Sequence, residues 1–262
     1  MTSDSVQADR GSIGAASAPP LRGLLPLAIG LLAWQFFGPR NVPYFPPPLE
    51  WLRALDALRI SGSLWPAILT TMSSFAEALA LSILIGSALG ILLGRSETVD
   101  RMLGPSLEFW RTMPAGALVP VAVLILGYTE SMTLFVVTLT SIWPILLNVR
   151  SAAQRISQDR LDTARVLHLS WFATQYKILV PSLVGSIQLG TQIAAPIVLI
   201  IVLLVEILTQ GSGIGREISL AQSTFRSSTV FGLVILTGIL GLGVNLLIGL
   251  AGSLLRNYAT NV

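Results

Sequence analysis

Between Pro181 and Leu208 the chain runs for 28 residues with a single charge, Glu206. A helix needs about 20 apolar residues to cross a bilayer, and hydrocarbon admits only helices or closed barrels because every backbone polar group must be paired internally. Five further runs are comparably apolar, with at most two charges each: Gly23 to Gly38, Trp65 to Gly94, Leu107 to Leu126, Met132 to Val149 and Thr229 to Leu255. The expected fold is therefore an all-α integral membrane protein with about six transmembrane helices. Six spans of about 20 residues occupy about 120 positions of the 262 in the chain. The remainder suffices for connections, and no separate catalytic domain fits. Composition agrees, with 53% apolar and only 11% charged residues, against about 25% charged in a soluble domain.

The residue types present exclude several chemistries. There is no cysteine, which removes disulfides, thiolate catalysis and thiolate-held metals. The one histidine, His168, cannot build a His-rich metal site or a nucleophile-base pair within the spans. The one lysine, Lys177, follows no glycine loop, and no Gly-x4-Gly-Lys-Ser/Thr occurs, so the chain holds no phosphate cradle of that kind.

Charge placement sets the orientation. With the N-terminus inside, Arg10, Arg22, Arg95, Arg101, Arg111, Arg150, Arg155, Arg160, Arg165, Lys177 and Arg256 are cytoplasmic. The opposite side receives Arg40, Arg53, Arg59, Arg216 and Arg226. Eleven against five follows the positive-inside rule and puts both termini in the cytoplasm.

Residues 1 to 20 are small and polar and read as a disordered cytoplasmic tail. Pro46 to Pro48 start a short surface helix, with Leu49, Leu52, Leu55 and Leu58 on one side and Glu50, Arg53, Asp56 and Arg59 on the other. Gly86, Gly90 and Gly94 form a flat stripe on the second span, where another helix backbone can approach. Arg95 to Met102 reads as a polar connection, Gly127 to Ser131 as a short turn, and Gly211 to Gly215 as a backbone turn rather than a phosphate loop.

Arg150 to Lys177 is longer than a turn requires. Asp159 and Asp162 suit the first turn of a helix in which Leu161, Ala164 and Leu167 share one face. His168 falls where that helix ends, and Ser170 can cap a second helix running into Pro181. A helix, turn and helix with the small Ala164 at the centre of its first face makes a knob for a partner's groove.

This segment resembles the cytoplasmic motif of the permease subunits of binding-protein-dependent ABC importers. That motif is Glu-Ala-Ala, three residues, Gly, nine residues, Ile, one residue and Leu-Pro. Here the same spacing reads Asp162-Thr163-Ala164, His168, Ile178 and Val180-Pro181. Further stretches resemble the nitrate, sulfonate, taurine and pyrimidine-precursor branch, over roughly residues 40 to 258. They are Pro43 to Pro46, Arg111 to Pro114 with Pro120, Gly127 to Glu130, Trp143 to Asn148, and Glu206 with Gly213-Ile214-Gly215.

The resemblance implies a type I importer permease domain over residues 21 to 258, with a coupling loop at 150 to 180. The loop's first helix, through Asp162, Thr163, Ala164, Leu167 and His168, would dock on a separate ATPase subunit. Ile178 and Pro181 would join it to the fifth span. It also implies that two ATPase subunits bind the ATP and Mg, that this chain needs no cofactor, and that a periplasmic or lipid-anchored binding protein delivers the solute. Six spans with no internal repeat place the substrate path most economically between two copies, hence a homodimer.

Candidate path residues are Glu77, Met113, Pro114, Pro120 and Glu206. Glu77 is an intramembrane carboxylate, a group costly to ionise in lipid. Glu206 either faces the path or caps the glycine-rich segment that follows it. Pro114 and Pro120 free carbonyls that line a cavity or only shape packing. A secondary carrier or channel is the alternative function, and it is expected to show inverted repeats or a line of membrane carboxylates. An intramembrane enzyme lacks the residues, and an assembly anchor would dock a partner without transport.

Overall fold

The computed structural model describes residues 25–38, 44–156, 166, 170 and 180–259. They are helical, with no strand among the described residues. In chain order the helices are α1 (Leu25–Phe37), α2 (Pro48–Ile60), α3 (Leu64–Arg95), α4 (Glu97–Arg111) and α5 (Ala115–Leu126). They continue as α6 (Glu130–Ser141), α7 (Trp143–Gln154), α8 (Val180–Thr209), α9 (Ile214–Ser223) and α10 (Ser227–Ala259).

Among the described residues three helices, α3, α8 and α10, are each long and apolar enough to cross a membrane alone. At 1.5 Å per residue they are about 45 to 50 Å long, more than the hydrocarbon thickness, so they tilt or project beyond it. The second, fifth and last expected spans correspond to them. The third, interrupted in the sequence by Pro114, Gly116 and Pro120, and the fourth, which contains Pro144, are bent pairs of helices. Leu107 to Leu126 is not one helix, because α4 and α5 meet at a 96° bend. Pro114 at the cap of α5 lacks the N–H that would continue the ladder. The fourth span is α6 plus α7, bent by 44° ahead of Pro144. Counting each bent pair as one span gives five among the described residues, and α1 contributes thirteen further described helical residues.

The expected polar connection at Arg95 to Met102 is also corrected, since α4 begins at Glu97. Ser96 caps it by accepting the Val99 N–H at 3.4 Å. Pairs Glu97 with Arg101 and Glu108 with Arg111 run along its surface. The glycine-rich connection contains the ten-residue α9, which the sequence reading did not anticipate.

Packing centres on α7, which lies between α3 and α8. The stripe on α3 is what admits it: a β-carbon on Gly90 would sit 2.8 Å from the Leu146 carbonyl oxygen, and one on Gly94 2.6 Å from Ala153 Cβ. On the other side, a β-carbon on Gly190 of α8 would fall 2.7 Å from Ile145 Cα. Val136, Ile145, Val149, Leu183, Val198 and Val202 are fully buried around these contacts.

α2 lies against α10. Trp51 stacks on Phe231 at 5.4 Å, and Trp34 of α1 meets both rings edge-on at 5.2 and 5.8 Å. Trp51 and Leu58 are the buried residues of this helix, whereas Leu49 and Leu52 are exposed, so its packed face is rotated from the one the leucine spacing suggests. The ring area of Trp51, tied by its Nε1–H to the Pro46 carbonyl at 3.0 Å, outweighs a leucine stripe.

Candidate functional site

Glu206 occupies the last turns of α8 and is buried, 5% exposed. Thr71, fully buried on α3, donates its hydroxyl to the two carboxylate oxygens at 2.9 and 3.0 Å. The same hydroxyl accepts the Ile214 N–H at 2.8 Å, and the Gly215 N–H donates to Glu206 Oε2 at 2.8 Å. Ile214 and Gly215 are the first two residues of α9, whose free N–H groups attract a carboxylate. One acid therefore fastens α8 to α3 and caps α9.

The two glycines of Gly213-Ile214-Gly215 follow from that contact. Gly213 has φ +97, a conformation open to glycine, and a β-carbon there would fall on the Glu206 carboxylate. A β-carbon on Gly215 would lie 2.7 Å from the Leu203 carbonyl oxygen. Glycine lets α9 start directly against the backbone of α8.

Beside this junction is a cavity of about 300 Å³ between α3, the α5–α6 turn and the end of α8. Thr70, Ser74, Tyr128, Glu130, Glu206 and Thr209 bring hydroxyls and carboxylates to its wall, and among the described residues no basic side chain lines it. The turn is held by Thr129, which caps α6 by accepting the Met132 N–H at 3.1 Å. Gly127, at φ 69, ends α5. Such a pocket can hold water or a small polar molecule; among the described residues there is no cluster of metal-ligating side chains.

At the opposite end of the bundle, Arg150 Nη2 bonds Asp100 Oδ2 at 2.7 Å, joining α7 to α4. Both side chains are mostly shielded, at 29% and 15% exposed, so this pair is screened less than the surface pairs of α2. It stands one turn before α7 ends and the 157–179 segment begins.

The expected site residues are dispersed. Asp162, Thr163, Ala164, Leu167, His168 and Ile178 lie outside the described residues, as do the loop helix and the tail. Pro181 is in the first turn of α8 and exposed. Glu77 is exposed on α3, whereas Glu206 is buried and borders the cavity. Met113 is half-buried and Pro114 exposed at the α4–α5 corner, separated from the cavity by α5, about 18 Å long. Pro120 is exposed midway along α5.

Thr71 is not among the residues expected from the sequence. A threonine in an apolar run carries no signal by itself; its partner is 135 residues away.

Comparison with known proteins places these features. The family described as "Binding-protein-dependent transport system inner membrane component" matches residues 82–257. The nitrate import permease protein NrtB of Leptolyngbya laminosa is 33% identical over 192 residues, covering 73% of this chain and 68% of that protein. The bicarbonate transport system permease protein CmpB of Synechocystis sp. is 31% identical over 75% of this chain and 74% of the relative. The putative aliphatic sulfonates transport permease protein SsuC of Bacillus subtilis is 26% identical over 84% and 81%. With two thirds of its length matched and a bent-helix bundle of the type I permease kind, the chain belongs to the family of inner membrane components of binding-protein-dependent ABC importers.

Proposed function

We propose that this chain is the permease subunit of an ATP-driven importer, forming the translocation path for a small solute of the nitrate, sulfonate, taurine or pyrimidine-like class. It acts as a homodimer on two separate ATPase subunits, which hold the ATP and Mg. A periplasmic or lipid-anchored binding protein supplies the solute to the end of the bundle that carries the cavity. Both termini are cytoplasmic, in line with the excess of basic residues on that side.

One observation carries the coupling. The 157–179 segment leaves the bundle from α7 and returns into α8, and these two helices are in direct backbone contact at Gly190 and Ile145. Close-packed helices do not deform continuously, so a push on the segment moves α7 and α8 together. The Glu206 carboxylate at the far end of α8 then carries the displacement to α3 and α9. Asp162, Thr163, Ala164, Leu167 and His168 form the face the ATPase grips, and Ile178 and Pro181 the junction with α8.

Ala164→Asp puts a charge into that face. After gentle solubilisation of the tagged chain, mass spectrometry is expected to find an ATPase subunit with the wild type and none with Ala164→Asp, while both insert equally into the membrane. Equal recovery of the ATPase with the variant contradicts the proposal, as does a wild-type chain that purifies alone and transports without ATP.

A further inference from the structure

Inside the bundle, the hydroxyls of Ser82 on α3 and of Thr138 and Ser141 on α6 have no hydrogen-bond partner among the described residues. Ser82 and Ser141 are fully buried, and Thr138 is 7% exposed. A further unpaired hydroxyl, Ser87, lies on another side of α3. Other threonines of the long helices return their hydroxyl to the carbonyl one turn back. Thr140 bonds Val136, Thr191 bonds Ile187, Thr209 bonds Val205 and Thr237 bonds Leu233, each at 2.8 Å. Ser82, Thr138 and Ser141 do not, and a hydroxyl left unpaired away from water is costly.

The register of α3 on α7 brings the three together. A β-carbon on Gly94 would meet Arg150 and Ala153, one on Gly90 Leu146 and Val149, and one on Gly86 Ile142 and Ile145. Each step of four residues on α3 matches a step of four on its neighbour, so the two helices run in the same direction. One more step places Ser82 against Thr138 and Ser141. α3 and α6 are packed on each other, and the fully buried Ala78, Val136, Val137 and Ile145 belong to the apolar core around them.

This level is also a break in the helices. α6 ends at Ser141 and α7 starts at Trp143, with 44° between them. Pro144 has no N–H to offer the Thr140 carbonyl, so the junction lacks one bond of the ladder. The facing side of α3 changes here from glycine to serine. A buried water is held by two to four polar contacts, and three hydroxyls from two helices supply them, each able to donate and to accept.

We propose that Ser82, Thr138 and Ser141 form an internal hydration site, which lodges water at the α6–α7 break and makes that break a hinge. As the angle between α6 and α7 changes, the water exchanges bonds among the three hydroxyls, so that no buried donor is left bare. α7 then swings together with the glycine face of α3, while α6 keeps its place beside α5. The site depends on the helix packing alone and not on the importer reading.

Thermal unfolding of the full chain in lipid nanodiscs tests the shared site through Ser82→Ala, Ser141→Ala and their double variant. Each single change removes one partner of the water and is expected to lower the melting temperature by about 2 to 4 °C. The double variant is expected to lose less than the sum, because residues served by one water are coupled. Additive shifts, or none, overturn the proposal by making each hydroxyl independent. Hydrogen–deuterium exchange tests the hinge in the unaltered chain. Amides of residues 138–146 are expected to exchange ahead of those on either side in α6 and α7, and to slow when Ser82→Ala, Thr138→Val and Ser141→Ala are combined. A junction as protected as its flanks overturns the proposal, as does exchange that the triple variant leaves unchanged.

Discussion

At the scale of single residues, the junction of Thr71, Glu206 and the start of α9 concentrates more hydrogen bonding than any other buried contact between distant helices described here. Thr71 both donates and accepts there. Thr71→Val preserves shape but leaves the Ile214 N–H and part of the Glu206 carboxylate unpaired in a buried site. Each such group costs about 1 to 3 kcal/mol, so the variant is expected to lose about 2 to 6 kcal/mol. Thermal unfolding in detergent checks this, and a melting temperature equal to wild type would show the hydroxyl to be dispensable. The glycines of Gly213-Ile214-Gly215 and the acid at Glu206 were legible in sequence as a recurring pair of features. Capping of that segment was one of the two readings of Glu206, whereas the glycines' own reason depends on the backbone of α9 starting directly against α8. Thr71 was illegible for the same physical cause: its role exists only once α3 lies beside α8.

At the scale of elements, small residues decide which helices touch. Gly90→Leu drives a side chain into the Leu146 carbonyl and Val149, and overpacking of this kind costs about 1 to 3 kcal/mol or more. Gly104 of α4 provides the contrast, since a β-carbon there meets nothing within 4 Å. Gly104→Ala is expected to stabilise by about 0.5 to 1 kcal/mol through lower unfolded-state freedom. Size-exclusion profiles and melting temperatures of the two variants are expected to move in opposite directions; a harmless Gly90→Leu would refute the α3–α7 contact. The glycine stripe announced this contact in the sequence, although not its partner. Long uninterrupted spans were equally legible, because 25 to 30 apolar residues admit one structure in lipid. The α4–α5 corner was not. Pro114 and Gly116 stood in the sequence as interruptions, yet nothing in the run from Leu107 to Leu126 gives the 96° angle at which the chain turns there. Of the charge pairs along α4, Glu97–Arg101 lies in the stretch read as a connection and Glu108–Arg111 in the run read as the third span.

At the scale of the whole molecule, the two ends of the bundle have different chemistry. One end carries the polar cavity, Glu206 and α9. The other carries the Asp100–Arg150 pair at the root of the 157–179 segment. Between them α7 and α8 pack directly on each other, and the proposed coupling runs along this contact. The most direct measurement of that claim uses Ser131→Cys, an exposed position in the first turn of α6 beside the cavity. A spin label on this otherwise cysteine-free chain reports the distance between copies in the assembled complex by pulsed electron paramagnetic resonance. The account predicts one label-to-label distance in the nucleotide-free assembly, shifting by several ångströms when ATP is trapped, and no shift in Ala164→Asp. A distance unchanged by ATP, or no label pair at all, would contradict it.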